Sequence, residues 1–282
     1  MTRHRILILT LLAMLAFAGN SLVCRMALKH TAIDAASFTL VRIVSGAITL
    51  WLIVRLRAGP QPPAGSWLSA LALFAYAAAF SFAYLSLTAA TGALLLFGAV
   101  QATMIGCGWW SGERLRGRRA AGLVMALAGL VGLLLPGFAA PPLQGAVLML
   151  AAGVAWGVYS LRGKGSGDPL CATAGNFMRA VVFAAALGLA MLPWASLDRA
   201  GVAYAVASGA LASGVGYALW YSALAGLALT SAATVQLSVP VLAALGGVVW
   251  LDEPLTLRLV ITSAAILGGI ALVIDGKPAA PR

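Results

Sequence analysis

Two arginines stand where arginine is costly. Arg42 and Arg179 lie well inside apolar runs, roughly 10 to 14 Å from the nearer run end at 1.5 Å per residue. A guanidinium does not lose its proton in a protein, so at that depth it needs a partner. A substrate carboxylate would serve, as would backbone carbonyls at a broken helix end, or the side chain could snorkel to the interface. Because the two arginines occupy matching places in two halves of the chain, a shared structural role is the simpler reading, with carboxylate recognition as the alternative. Asn20 and Gln101 are too polar to face lipid, and Gln236 and Asn176 lie at shallower positions. Such groups bond to a substrate or between helices, the latter contributing about 0.6 kcal/mol each. Trp156, beside Gly157 and Tyr159, can face apolar or aromatic substrate groups or pack on a neighbouring helix. Tyr217, Trp220 and Tyr221 share one helical face near a run end, which suits a gate or an interfacial belt. Pro240 removes a helix hydrogen bond inside its run and marks it as the run that bends.

Other chemistries lack their residues. The seven acids, Asp34, Glu113, Asp168, Asp198, Asp252, Glu253 and Asp275, all fall at run ends or in loops, so no mid-membrane carboxylate is in place for a proton or sodium relay. His4 and His30 lie outside the runs, which leaves no metal cluster or His-based nucleophile. Gly163-Lys164-Gly165-Ser166 has the wrong spacing for a phosphate-binding loop. Cys24, Cys107 and Cys171 show no CxxC spacing. An intramembrane enzyme is disfavoured, and no cofactor is expected.

The elements that must hold these side chains are membrane helices. The chain is 62% hydrophobic and 9% charged, with mean hydropathy +1.00, against about 45 to 50% apolar and about 25% charged in soluble domains. In lipid the backbone must satisfy itself, which requires helices of about 20 residues. Ten runs are read, at about 6–28, 35–54, 67–88, 91–111, 120–139, 143–161, 170–193, 200–225, 230–251 and 257–274. Turn-forming clusters at 59–63, 141–142 and 163–169 separate several of them. The fold class is therefore all-α and polytopic. The apolar stretch after Arg3 and Arg5 is too long for a signal-peptide core and is read as the first span.

Basic residues set the orientation, not nucleic-acid binding. Arg3, Arg5, Arg55, Arg57, Arg114, Arg116, Arg118, Arg119, Arg162, Lys164, Lys277 and Arg282 share the side of the N-terminus, against Lys29, Arg199 and Arg258 opposite. That places both termini in the cytoplasm. The halves, 1–140 and 141–282, echo each other: Arg42 with Arg179, Gly129 with Gly269, Glu113 with Glu253. With five spans each, they run through the membrane in opposite senses, the architecture of secondary transporters with a midplane site.

On the small-residue-rich first span of each half, the paired arginines, and the series Tyr221-Ser222-Ala223-Leu224, Pro240 and Asp252-Glu253-Pro254-Leu255, the chain resembles the EamA family of the drug/metabolite transporter superfamily. The first half has Tyr84-Leu85-Ser86-Leu87 and Gly112-Glu113-Arg114-Leu115, with Val100 to Ala102 in place of the proline. Within that family it is similar to YddG-type aromatic amino acid exporters. The resemblance implies export of amino acids and related metabolites across the inner membrane by alternating access, with efflux of drugs or hydrophobic cations as the alternative. The expected substrate contacts are Asn20, Tyr84, Gln101, Trp156, Tyr159 and Gln236, with Pro240, Tyr217 and Tyr221 gating. The small-residue faces of the fifth and tenth spans (Gly122, Ala126, Gly129; Ala264, Gly268, Gly269) are expected to be scaffold in a monomer or a homodimer.

Overall fold

A computed structural model describes residues 2–58, 64–110, 117–135, 140–163, 168–224, 226–227 and 235–275. Glu113 and, of the basic residues that set the orientation, Arg114, Arg116, Lys164, Lys277 and Arg282 lie outside the described residues. Among the described residues ten long helices follow one another, with one short turn of helix at Leu192–Trp194 and no strand: α1 (Arg3–His30), α2 (Ala35–Ala58), α3 (Trp67–Ala83), α4 (Ala89–Trp110), α5 (Arg118–Leu134), α6 (Leu143–Arg162), α7 (Pro169–Ala190), α8 (Arg199–Leu224), α9 (Ser238–Leu251) and α10 (Leu257–Asp275). Six combine the length and apolar character needed to cross a membrane, while α3, α5, α9 and α10 are shorter apolar helices.

Their ends are set by recognisable caps. Asp34 accepts the backbone N–H groups of Ala36 and Ser37 to start α2, Asp168 accepts those of Leu170 and Cys171 to start α7, and Asp198 accepts that of Gly201 to start α8. Ser66 accepts from Ser69 to start α3. These carboxylates and hydroxyls occupy donors that a helix start leaves unpaired. This explains why Asp34, Asp168 and Asp198 sit where the apolar runs begin. At the other extreme of α9, Asp252 takes a left-handed conformation (φ 51°), and both its N–H and that of Glu253 return to the Gly247 carbonyl. This reversal folds Glu253 back over the helix end.

The packing has an approximate two-fold pattern. α1 lies against α8 and α9, and its counterpart α6 lies against α3 and α4. α2 meets α7, α4 meets α9, and α5 meets α10. Each half therefore buries its first helix in the other. The small faces of α5 and α10 close on each other within the chain: a Cβ on Gly122 would strike the Gly269 carbonyl, and one on Gly269 the Gly122 carbonyl. Those faces, expected as scaffold, are filled by this contact. Outward, Leu7, Leu11 and Leu15 of α1 and Trp67, Trp110, Trp194 and Trp250 are exposed, as lipid-facing side chains and interfacial indoles should be.

Two departures from regular helix fall in the second half. α8 carries a widened π-type stretch over Ala207–Val215, lined inside by Ser208, Gly209, Ala212, Ser213 and Gly214; such widenings recur at functional sites. In the ninth run, Val235 and Gln236 are helical, Leu237 is a turn, and the helix resumes at Ser238. Pro240 explains the break: its ring crowds the carbonyl four residues earlier. Ser238 Oγ donates to the Val235 carbonyl at 2.7 Å. The corresponding stretch of α4, around Val100 to Ala102, runs on unbroken.

Candidate functional site

Tyr76 and Phe80 are one turn apart on α3, and the Arg42 guanidinium of α2 lies over both rings, 5.2 and 4.9 Å from their centroids. Arg42 is 2% exposed. Its Nη2 donates to the Tyr76 hydroxyl at 3.0 Å. Asn20 of α1 donates through Nδ2 to the same hydroxyl at 3.4 Å and accepts at Oδ1 from Ser208 Oγ of α8 at 2.7 Å. The Arg42 Nη1 is buried and has no hydrogen-bond partner among the described residues.

An aromatic wall continues from this group. The Tyr76 ring is 4.9 Å from Trp156 of α6, and Trp156 stacks on Tyr217 of α8 at 5.3 Å with an interplanar angle of 14°. Trp156 also stacks on Tyr159, and Phe177 of α7 and Phe17 of α1 close around Tyr217. Six helices of the two halves, α1, α2, α3, α6, α7 and α8, thus meet in a layer that is polar on one side and aromatic on the other.

Each end of this layer has its own closure. At the end where α1 finishes, Arg25 Nε donates to Glu253 Oε1 at 3.2 Å, and Arg25 Nη1 donates to the carbonyls of Tyr84 and Leu85. The other Glu253 oxygen accepts the Ala89 N–H at 2.8 Å, at the start of α4, where the helix dipole favours an anion. Lys29 donates to the Leu251 carbonyl beside it. At the end where α1 begins, the closing hydrogen bonds run among neutral hydroxyl and amide groups, with Arg162 at their edge. Thr173 Oγ1 lies 3.2 Å from both phenolic oxygens, Tyr159 and Tyr221. Asn176 donates to Tyr159 and accepts the Ser66 N–H, and Arg162 donates to Ser69.

The candidates read from the sequence are distributed across these layers. Asn20, Trp156 and Tyr217 are in the central one, and Tyr217 is 4% exposed, in the stack and away from any interfacial belt. Tyr159 and Tyr221 belong to the neutral closure. Tyr84 is buried at the charged end, where its hydroxyl donates to the Ala89 carbonyl. Gln101 is buried in α4 and takes no part in these hydrogen bonds. Gln236 is half-buried on the residues just before the break at Leu237.

The two arginines differ. Arg179 Nη1 donates to the carbonyls of Ala64 and Gly175 at 2.6 and 2.9 Å, so it holds the chain entering α3. Among the described residues Arg42 has no such carbonyls. Arg25, Tyr76, Phe80 and Ser208 were not read as candidates. Arg25 was an arginine near a run end like many others, and its partner is 228 residues away. Tyr76, Phe80 and Tyr84 do carry a signal, a four-residue spacing that puts all three on one stripe of α3 and its C-cap.

The sequence pattern of the EamA-like transporter family matches residues 4–135 and again residues 143–275. The chain belongs to the EamA-like transporter family. The two matches take in α1–α5 and α6–α10 respectively. An uncharacterized protein of Pseudomonas aeruginosa is 60% identical over 275 residues, 97% of this chain and 96% of that one. The threonine/homoserine exporter RhtA of Salmonella typhimurium is 34% identical over 146 residues, 48% of each chain. A solved crystal structure has the same fold, with a TM-score of 0.67 at 20% identity over 96% of this chain and 98% of that one. The chain is thus a multi-pass EamA transporter built from two repeats, and the central layer lies where helices of both repeats converge.

Proposed function

We propose that this EamA transporter exports small amino acids and related metabolites across the inner membrane by alternating access, with both termini in the cytoplasm. The observation that carries the reading is the central layer of Asn20, Arg42, Tyr76, Trp156 and Tyr217, polar on one face and aromatic on the other, set between two distinct closures. A midplane site at a repeat interface is what alternating access requires. The partial similarity to an exporter of threonine and homoserine supports amino acids as the substrate class. Export would proceed by opening the Tyr159–Thr173–Tyr221 end to the cytoplasm, loading the central layer, and then parting Arg25 from Glu253 to release outward. Pro240 and the wide turn of α8 supply the places where helices can bend.

The test is transport by purified protein in liposomes against a panel including threonine, homoserine, phenylalanine and leucine, with and without an imposed pH gradient. Saturable movement of at least one amino acid is expected, slowed in Trp156→Ala. No movement of any of them would overturn the reading. Efflux of hydrophobic cations is the competing reading, and Arg42 speaks against it: a fixed positive charge in the central layer repels a cationic substrate. Competition by a cationic dye, in place of amino acids, would favour it.

A further inference from the structure

We propose that the Arg42 guanidinium is the anchor for a carboxylate, so that this transporter selects monovalent organic anions or zwitterions by their carboxyl group. The inference rests on reading the central layer as the substrate site, and it names the group that the substrate must carry. Arg42 is charged at every accessible pH, and taking such an ion out of water is costly unless it is paired and hydrogen-bonded. What surrounds it falls short of that. The rings of Tyr76 and Phe80 offer cation–π attraction, and the Tyr76 hydroxyl receives Nη2. The Nη1 edge is buried with no acceptor among the described residues. No carboxylate pairs with Arg42 among the described residues: the ion pairs are Arg25 with Glu253 and Arg57 with Asp168. The one buried acid among them, Glu253, is held by Arg25 and the start of α4.

Arg179 shows what a merely structural arginine looks like in this fold, because its Nη1 is occupied by two carbonyls. Arg42 has instead a buried donor, Nη1, with no acceptor among the described residues, and its guanidinium lies against the aromatic rings of α3. A planar carboxylate matches that guanidinium in shape and charge. A single negative charge neutralises a single cation, and Arg25 is already paired with Glu253. A phosphate dianion would be left with an unmatched charge. The Trp156 and Tyr217 rings then face whatever apolar body the carboxylate carries.

The full-length protein in detergent can be tested by its melting temperature with isosteric probes: benzoate against benzamide, and L-phenylalanine against L-phenylalaninamide. Inorganic phosphate and chloride serve as anion controls. Saturable stabilisation by both carboxylates and neither amide is expected. Arg42→Gln should lose the stabilisation, Arg42→Lys should weaken the apparent affinity about tenfold or more because the fork is lost, and the exposed Arg57→Gln should behave as the parent. If Arg42→Gln does not fold, the acid-versus-amide contrast in the parent protein decides. The inference is overturned if the amides stabilise equally, if phosphate or chloride alone reproduces the effect, if no carboxylate stabilises the parent, or if Arg42→Gln keeps the response. A carboxylate response in a protein that moves no amino acid would sink the transport reading and leave this one standing.

Discussion

Arg42 and Arg179 both lie in the second helix of a five-helix repeat, yet among the described residues one is saturated and the other is not. Arg179 is spent on the carbonyls of Ala64 and Gly175, whereas Arg42 lies over two aromatic rings with Nη1 unpartnered among the described residues. Duplication supplied two cations, and packing assigned them different work. One copy ties a loop to a helix, and the other keeps an open donor edge at the centre. The same asymmetry recurs in the fourth helix of each repeat, unbroken in α4 and broken before Pro240, and in the third, where α8 alone carries the wide turn.

The largest effect should separate the arginines. Arg42→Gln is expected to lower transport kcat/KM about a hundredfold, or about 2.7 kcal/mol, within the range for removing one partner of a buried charged contact. Arg179→Gln should cost about 1 to 3 kcal/mol of stability through its lost carbonyl bonds, with transport per folded molecule unchanged. Chemical unfolding and liposome transport on the same preparations measure both; equal transport defects would erase the distinction. The two closures come next. Glu253→Gln should destabilise by about 1 to 3 kcal/mol, because Arg25 loses its counter-ion, while Tyr221→Phe at the neutral end should cost about 0.5 to 1.5 kcal/mol. The reverse order in thermal melts would mean that the neutral end holds the molecule shut.

Pro240→Ala allows the ninth run to become continuous like α4. Slower transport is expected with substrate affinity unchanged, and equal transport would remove the break from the mechanism. The smallest difference concerns the caps. Asp34 takes N–H groups from Ala36, Ser37 and Ser196, and Asp168 takes two from its own helix. Partial burial raises the Asp34 carboxyl pKa, but the hydrogen bonds from Ser37, Ser196 and Ala36 outweigh it and hold the group below its ordinary value. A depressed folded-state pKa stabilises above the unfolded value and is lost as pH falls through the folded one. Thermal melts taken down through the carboxylate range should therefore show a decline that Asp34→Asn lacks. At neutral pH, Asp34→Ala should cost about 1 kcal/mol and more than Asp168→Ala.

Much of the fold was legible because lipid leaves few options. Run length, turn residues and the recurrence of Arg42 as Arg179 lead to ten helices in two repeats. The site was legible in part. Asn20, Trp156 and Tyr217 declared themselves as polar or amphipathic groups inside apolar runs. The free edge of Arg42 did not, because it depends on how helices far apart in sequence pack around it. Arg25 escaped notice for a similar reason: only the fold brings Glu253 to it. Pro240 was legible as a bend, whereas the wide turn of α8 was hidden among small residues with no proline to mark it.

The interlocking of the halves has a consequence for biogenesis. α1 is complete at His30, but its packing partner α8 begins at Arg199, and at about 5 to 20 residues per second of synthesis the wait is on the order of ten to thirty seconds. During that time the face of α1 that will touch α8 and α9 has only lipid, water or a chaperone against it. Leu22, buried in the finished protein against Gly246 of α9, marks that face. In a background lacking Cys24, Cys107 and Cys171, a ribosome-bound Leu22→Cys chain arrested at residue 195 should react with a membrane-permeant maleimide, and the completed chain should not. Protection at position 22 already at arrest would show that the first repeat shields its own seam before the second exists.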